Sequence, residues 1–120
     1  MKILIVEDEE ALSNIIREEL SGEGHDCKIA KDGEEALSLA SSFRPDILLL
    51  DLILPKKNGL EVLAELKADE KLKKITVIVL SNLAEDENIK KSLLLGAADY
   101  FVKSQHSIYE VIEKIQKYTK

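Results

Sequence analysis

Cysteine is nearly absent from this chain: Cys27 is the only one in 120 residues. An internal disulfide is therefore excluded, and the composition fits a reducing, cytoplasmic compartment. Cys27 itself reads as a small apolar filler on a strand. Long apolar runs are missing as well. The apolar segments are strand-length and punctuated by charge, so neither a membrane span nor a secretory signal is expected. A basic surplus is also lacking, with 17 Lys and Arg against 23 Asp and Glu and a formal charge of −6. Sequence-independent binding to nucleic acid needs the opposite balance, and no direct nucleic-acid contact is expected. The short lysine clusters (Lys56-Lys57, Lys71 to Lys74, Lys90-Lys91) alternate with acids and read as solvated surface. There is no linker and no low-complexity tract. A chain of this length makes one domain, expected over 1–120.

What is present is a set of apolar runs that end in chemistry. Ile47-Leu48-Leu49-Leu50 reads as a central strand buried on both faces, and Asp51 closes it. Ile3-Leu4-Ile5-Val6 ends in Glu7-Asp8. The run from Ile75 to Leu80 ends in Ser81, and Tyr100-Phe101-Val102 ends in Lys103. One polar strand end is ordinary, because chains leave a sheet through polar loops. Four that together offer three carboxylates, a hydroxyl and an ammonium describe a candidate reaction site.

Between these runs lie helical patterns. Strands are expected over 2–6, 26–30, 46–50, 75–80 and 99–102. The first helix, over 9–20, carries Leu12, Ile15, Ile16 and Leu20 at three- and four-residue spacing, which is one helix face. Ser21-Gly22 stops it. A short helix over 33–41 carries Ala36, Leu37 and Ala40. Asn58-Gly59 opens a third, with Leu60, Leu63, Ala64 and Leu66 as its apolar stripe. The fourth, over 86–95, is closed by Gly96, and the last, over 107–118, places Ile108, Val111, Ile112 and Ile115 together. Strands alternating with helices imply right-handed crossovers and a parallel sheet covered on both faces. For five strands the flavodoxin-like order 2-1-3-4-5 is expected, an α/β doubly wound (βα)5 fold. Neighbouring strands are about 4.8 Å apart. Asp8 then lies one strand from Asp51 on one side, Ser81 one strand away on the other, and Lys103 beyond Ser81. Acids are expected on one flank of Asp51 and donors on the other.

Three adjacent carboxylates repel one another, and their pKa values rise unless a cation intervenes. Oxygen ligands select a hard ion, and a shallow, hydrated site suits Mg²⁺ better than Ca²⁺. With that charge neutralised, Asp51 can act as a nucleophile toward a phosphoryl group, while Ser81 and Lys103 bind its oxygens. Spacing alone weighs this reading equally against an ion site without chemistry, or solvated acids at loop starts. His25 and His106 lack a second ligand at metal spacing and read as surface or loop residues. Tyr109 and Tyr118 suggest packing or an exposed edge.

Taken together, Ile5-Val6-Glu7-Asp8-Glu9, residues 46–55 (Asp46-Ile47-Leu48-Leu49-Leu50-Asp51-Leu52-Ile53-Leu54-Pro55), Asn58-Gly59, Leu80-Ser81, Gly96-Ala97 and Asp99-Tyr100-Phe101-Val102-Lys103 carry a resemblance. In order and spacing the chain resembles a response-regulator receiver domain of two-component signalling, of the single-domain, chemotaxis-regulator-like kind. The resemblance runs from residue 2 to residue 118, and the strand order above is also the one it implies. It further implies that Asp51 is the phosphoacceptor. Asp8 binds Mg²⁺ directly, Glu7 binds it through water or at longer reach, and Ile53 supplies a backbone carbonyl. Ser81 is the switch hydroxyl, Lys103 the phosphate-binding lysine, and Tyr100 the aromatic that changes rotamer on activation. Pro55 and Gly59 shape the loop after Asp51.

Three positions depart from the family pattern. Glu7 replaces the more usual aspartate. Asn82 stands where a small residue is favoured, which narrows access to the phosphoryl group. Ser104 stands where a proline usually follows the lysine through a cis peptide, and a cis bond before serine costs roughly 2.5–4 kcal/mol. The implied function is a switch that takes a phosphoryl group from a histidine kinase or phosphotransfer protein. It is not a turnover enzyme, although it catalyses its own phosphorylation and dephosphorylation. Its output is a downstream protein partner, an effector domain or a homodimer formed through helix 4, strand 5 and helix 5. Two rivals remain at this point. One is a receiver-like scaffold without phosphoryl chemistry. The other is a flavin carrier, which needs a glycine- and hydroxyl-rich loop after strand 1, where Glu7-Asp8-Glu9-Glu10 stands instead.

Overall fold

The computed structural model describes residues 1–119. Five strands, β1 (Lys2–Val6), β2 (Asp26–Ala30), β3 (Ile47–Leu50), β4 (Thr76–Ser81) and β5 (Asp99–Val102), form one parallel sheet in the order β2-β1-β3-β4-β5. The helices are α1 (Glu10–Gly22), α2 (Gly33–Phe43), α3 (Gly59–Ala68), α4 (Asp86–Leu95) and α5 (Ile108–Gln116). The flavodoxin-like architecture expected from the alternating pattern is the one observed.

Two cores flank the sheet, and the period-2 geometry of strands divides the apolar runs between them. Leu4, Val6, Leu48, Leu50, Val77 and Val79 face α2 and α3. Ile3, Ile5, Ile47, Leu49, Ile78 and Leu80 face α1 and α5. All four residues of β3 are buried, as a central parallel strand requires. Register then fixes the functional rim. Val6 lies beside Leu50 and Leu50 beside Val79, so the residues leaving β1, β3 and β4 emerge together.

Helix boundaries follow local capping. Asp32, Asn58 and Ser107 each accept a backbone N–H from three residues on, at 2.8, 3.0 and 3.1 Å. Ser107 and Glu110 complete a capping box, so α5 starts at Ile108 with Ser107 as its cap. Several sequence expectations shift at their edges. Strand β4 runs one residue later than 75–80 and includes Ser81. Strand β3 begins at Ile47, although Asp46 still pairs through its backbone, donating to the Lys2 carbonyl at 2.8 Å and accepting from the Thr76 N–H at 3.1 Å. The segment at 117–119 is 3-10 and not α-helix. On α1, Ile15 is exposed while Ser13 is buried, its hydroxyl donating to the Glu10 carbonyl. On α3, Val62 is fully buried, whereas Leu60 and Ala64 are half-buried. No helix among the described residues is long and apolar enough to cross a membrane.

Candidate functional site

The loop after β3 holds the centre of the site. Asp51 is the first residue beyond the strand, is nearly buried, and its N–H donates to the Val6 carbonyl at 3.0 Å. Its Oδ1 accepts the Ile53 N–H at 3.2 Å and its Oδ2 accepts from Lys103 Nζ at 3.0 Å. Gly59 packs directly under this loop. A Cβ there would strike the Asp51 carbonyl oxygen and the Leu52 Cα, so glycine is required for the close approach. The Gly59 N–H donates to the Leu52 carbonyl at 2.9 Å, fixing the backbone from the other side.

Strand β1 delivers Glu7 and Asp8. Glu7 is buried and Asp8 exposed. Glu7 Oε1 lies 2.6 Å from Lys103 Nζ, and Oε2 accepts the Glu9 N–H at 3.1 Å. The expected division into acids on one flank and donors on the other is thus corrected. Lys103 starts two strands from Asp51, but its flexible stem returns the ammonium across β4 to touch both Asp51 and Glu7. Burial pushes the Glu7 carboxyl above its usual range, and the hydrogen bonds from Lys103 and the Glu9 N–H only partly reverse this. Burial pulls the Lys103 ammonium down, but its bonds to Glu7 and Asp51 outweigh that and hold it above the ordinary lysine value.

One oxygen from each of Glu7, Asp8 and Asp51 lies within 4.8 Å of the others. Three carboxylates in that space form an all-oxygen donor set, which fits a hard divalent cation. Such an ion would offset their mutual repulsion and add charge stabilisation to an incoming anion.

On the other side, Ser81 is fully buried at the end of β4, and its Oγ accepts the Leu83 N–H at 3.3 Å. The Leu83 carbonyl in turn accepts the Tyr100 hydroxyl at 2.6 Å. Tyr100 is half-buried against the α2–α3 side of the core. Burial raises its phenol above the usual value, with the Ser81 hydroxyl drawing it partly back. Ile53 is 55% exposed at the mouth of the site, and Leu83 is half-buried. Among the described residues there is no cis peptide, so the Lys103–Ser104 bond is trans, and a 3-10 turn (Lys103–Gln105) follows β5. Beside Lys103 lies a cleft of about 250 Å³, with Asn82, Ser104 and His106 on its rim and Leu12, Ile108 and Val111 among its walls.

The remaining candidates fall outside the site. Cys27 packs at the edge of the α1–α5 core. His25 is half-buried and contacts Gln116 at 3.1 Å, and His106 packs edge-on to Phe101. Tyr109 is exposed. Tyr118 donates to Asp99 Oδ2 at 2.8 Å, a tie between β5 and the 3-10 segment after α5 that no sequence spacing announces.

With this geometry in place, similarity to known proteins settles the class. A sequence model of the response regulator receiver domain family matches residues 3–116, and the chain belongs to that family. It is 40% identical over 104 residues to the Bacillus subtilis alkaline phosphatase synthesis transcriptional regulatory protein PhoP, covering 85% of this chain and 42% of that protein. Against the DNA-binding response regulator MtrA of Mycobacterium tuberculosis it is 35% identical over 102 residues, covering 85% and 43%. The chain therefore spans less than half the length of these relatives. Among solved structures, the Mn²⁺-bound response regulator Rcp1 superposes with a TM-score of 0.86 at 33% identity, covering 97% of this chain and 91% of that one. The phosphorylated cyanobacterial phytochrome response regulator RcpA gives 0.86 at 38% identity, covering 98% and 91%. Phosphoacceptance is the function of this family, and it is the chemistry for which the cluster around Asp51 is suited.

Proposed function

We propose that Asp51 accepts the phosphoryl group, from a phosphohistidine on a histidine kinase or phosphotransfer protein. The observation that carries this reading is the state of the Asp51 carboxylate. It is nearly buried, held at one oxygen by a backbone N–H and at the other by Lys103, beside two further carboxylates. A carboxylate so oriented presents a lone pair in one direction, which replaces the entropy cost of aiming a free nucleophile. As the oxygen–phosphorus bond forms, the donor's nitrogen–phosphorus bond breaks and its electron pair leaves with the imidazole. Lys103 then pairs with a phosphoryl oxygen, and the Ser81 hydroxyl donates to another. Glu7, Asp8, Asp51 and the Ile53 carbonyl are the groups that would hold Mg²⁺, which when bound neutralises charge on the phosphoryl oxygens.

Transfer occurs once per activation and is reversed by hydrolysis, so the domain is a self-modifying switch and not a turnover enzyme. Residues 1–120 act as one receiver unit in the cytoplasm. Its output runs through a downstream protein partner or effector domain, or through a homodimer on the α4–β5–α5 face. Support for that face comes from its composition: Leu94 is 88% exposed, with Leu93 and the lysines of α4 beside it. Intact mass after acetyl phosphate treatment tests the proposal. A gain of one phosphoryl group that requires Mg²⁺ is expected, and no gain under either condition would leave the domain a binding scaffold.

A further inference from the structure

Glu7 is placed differently from the other two acids of the cluster. Both of its oxygens already have protein partners, Lys103 Nζ at 2.6 Å and the Glu9 N–H at 3.1 Å. Asp8 is exposed and makes no side-chain hydrogen bond among the described residues. Lys103 lies closer to Glu7 than to Asp51, at 2.6 against 3.0 Å, and all three side chains are at least 85% buried. One ammonium is therefore divided between two carboxylates in a space that screens charge poorly. The extra methylene of glutamate is what spans the gap, because the Glu7 backbone is fixed at the end of β1 by its N–H to the Ala30 carbonyl at 3.0 Å.

We propose that Glu7 is a positioning residue for Lys103, a role separate from ion binding. It holds the ammonium on the β1 side of Asp51 and competes with the phosphoryl oxygens for it. The strength of this hold sets how readily Lys103 transfers to the phosphoryl group, and hence the balance between the free and phosphorylated forms. The functional part rests on Asp51 as phosphoacceptor; the placement of Lys103 does not.

Two variants separate the roles. Glu7→Asp keeps a carboxylate for an ion but withdraws it from Lys103, and Glu7→Gln keeps the length but removes the charge. In chelator, the Lys103 side-chain ¹⁵Nζ resonance should be sharp and slow to exchange in the native protein. It should broaden in both variants. A resonance that stays unchanged in both would overturn the proposal, whatever the fate of Asp51. The second measurement is a double-mutant cycle on phosphorylation by acetyl phosphate at saturating Mg²⁺, comparing Glu7→Gln alone and with Lys103→Met. If Glu7 acts through Lys103, its substitution changes the phosphorylated fraction about threefold or more alone, and has little effect once Lys103 is gone. An equal effect in both backgrounds would assign Glu7 to the ion only and overturn the proposal. Failure of every variant and the native chain to gain mass would instead reject Asp51 as acceptor, leaving the resonance to judge the hold on Lys103.

Discussion

The Tyr100 hydroxyl rests 2.6 Å from the Leu83 carbonyl, tying β5 to the loop that begins where Ser81 ends. Ser81 accepts the N–H of the same Leu83, so one residue connects the switch hydroxyl to the aromatic ring. A phosphoryl group that draws the Ser81 Oγ toward Asp51 would carry the Leu83 N–H with it or break that bond. Coupling of this kind needs two discrete states with different affinity for the phosphoryl group. A preference of about 1.4 kcal/mol shifts their ratio tenfold. With beryllofluoride as phosphoryl mimic, amide shifts should change across 82–102 as well as beside Asp51. Changes confined to the Asp51 pocket would show that the α4–β5–α5 face is not switched.

The acids should contribute unequally to ion binding. Asp8 is exposed and makes no side-chain hydrogen bond among the described residues, whereas both Glu7 oxygens are committed to protein donors. Asp8→Ala should therefore weaken Mg²⁺ binding more than Glu7→Ala, measured by titration without phosphate. Equal losses would contradict the assignment of Asp8 as the direct ligand.

The aspartyl phosphate should be long-lived. Ile53 and Leu83 stand two residues beyond Asp51 and Ser81, at the exposed mouth and beside the switch loop. Neither side chain can orient a water by hydrogen bonding, and both can exclude it. An Ile53→Asn, Leu83→Glu double substitution should speed loss of the phosphoryl group, followed by mass against time. Unchanged decay would show that access at these positions does not limit hydrolysis.

Stability should respond to the α5 cap. Ser107→Ala removes the acceptor for the Glu110 N–H and should cost about 1 kcal/mol in urea unfolding. The Glu110 carboxyl is held below its usual range by the Ser107 backbone N–H, so its stabilisation is complete above the unfolded value of 4.5. It is lost as pH falls through the lower folded value. Glu110→Gln should therefore cost stability near neutral pH and lose that cost in acid. A pH-independent cost would show that the Glu110 carboxylate does not reciprocate the cap.

Much of this was legible in the sequence because parallel strands convert chain order into spatial order. Four apolar runs, each ending in a polar group, suffice to place Asp8, Asp51 and Ser81 on one rim once β1, β3 and β4 are neighbours. What could not be read is side-chain reach. Register places Lys103 two strands from Asp51, and only the folded geometry shows its stem crossing to Asp51 and Glu7. The same limit hides the Tyr118–Asp99 bond, which joins β5 to the 3-10 segment after α5 across 19 residues. Edges failed where a side chain competed with the backbone. Ser107 fits the pattern of the last helix, but its hydroxyl caps that helix from outside. Ile15 fits the apolar period of α1, yet it lies where no neighbouring element covers the helix.

The identity of the acceptor is tested most directly by intact mass of the native chain and Asp51→Asn after matched treatment with acetyl phosphate and Mg²⁺. The amide is a poor nucleophile and cannot form an acyl phosphate. The native chain should gain one phosphoryl group and Asp51→Asn none. An equal gain in Asp51→Asn would place the acceptor elsewhere and contradict the central claim.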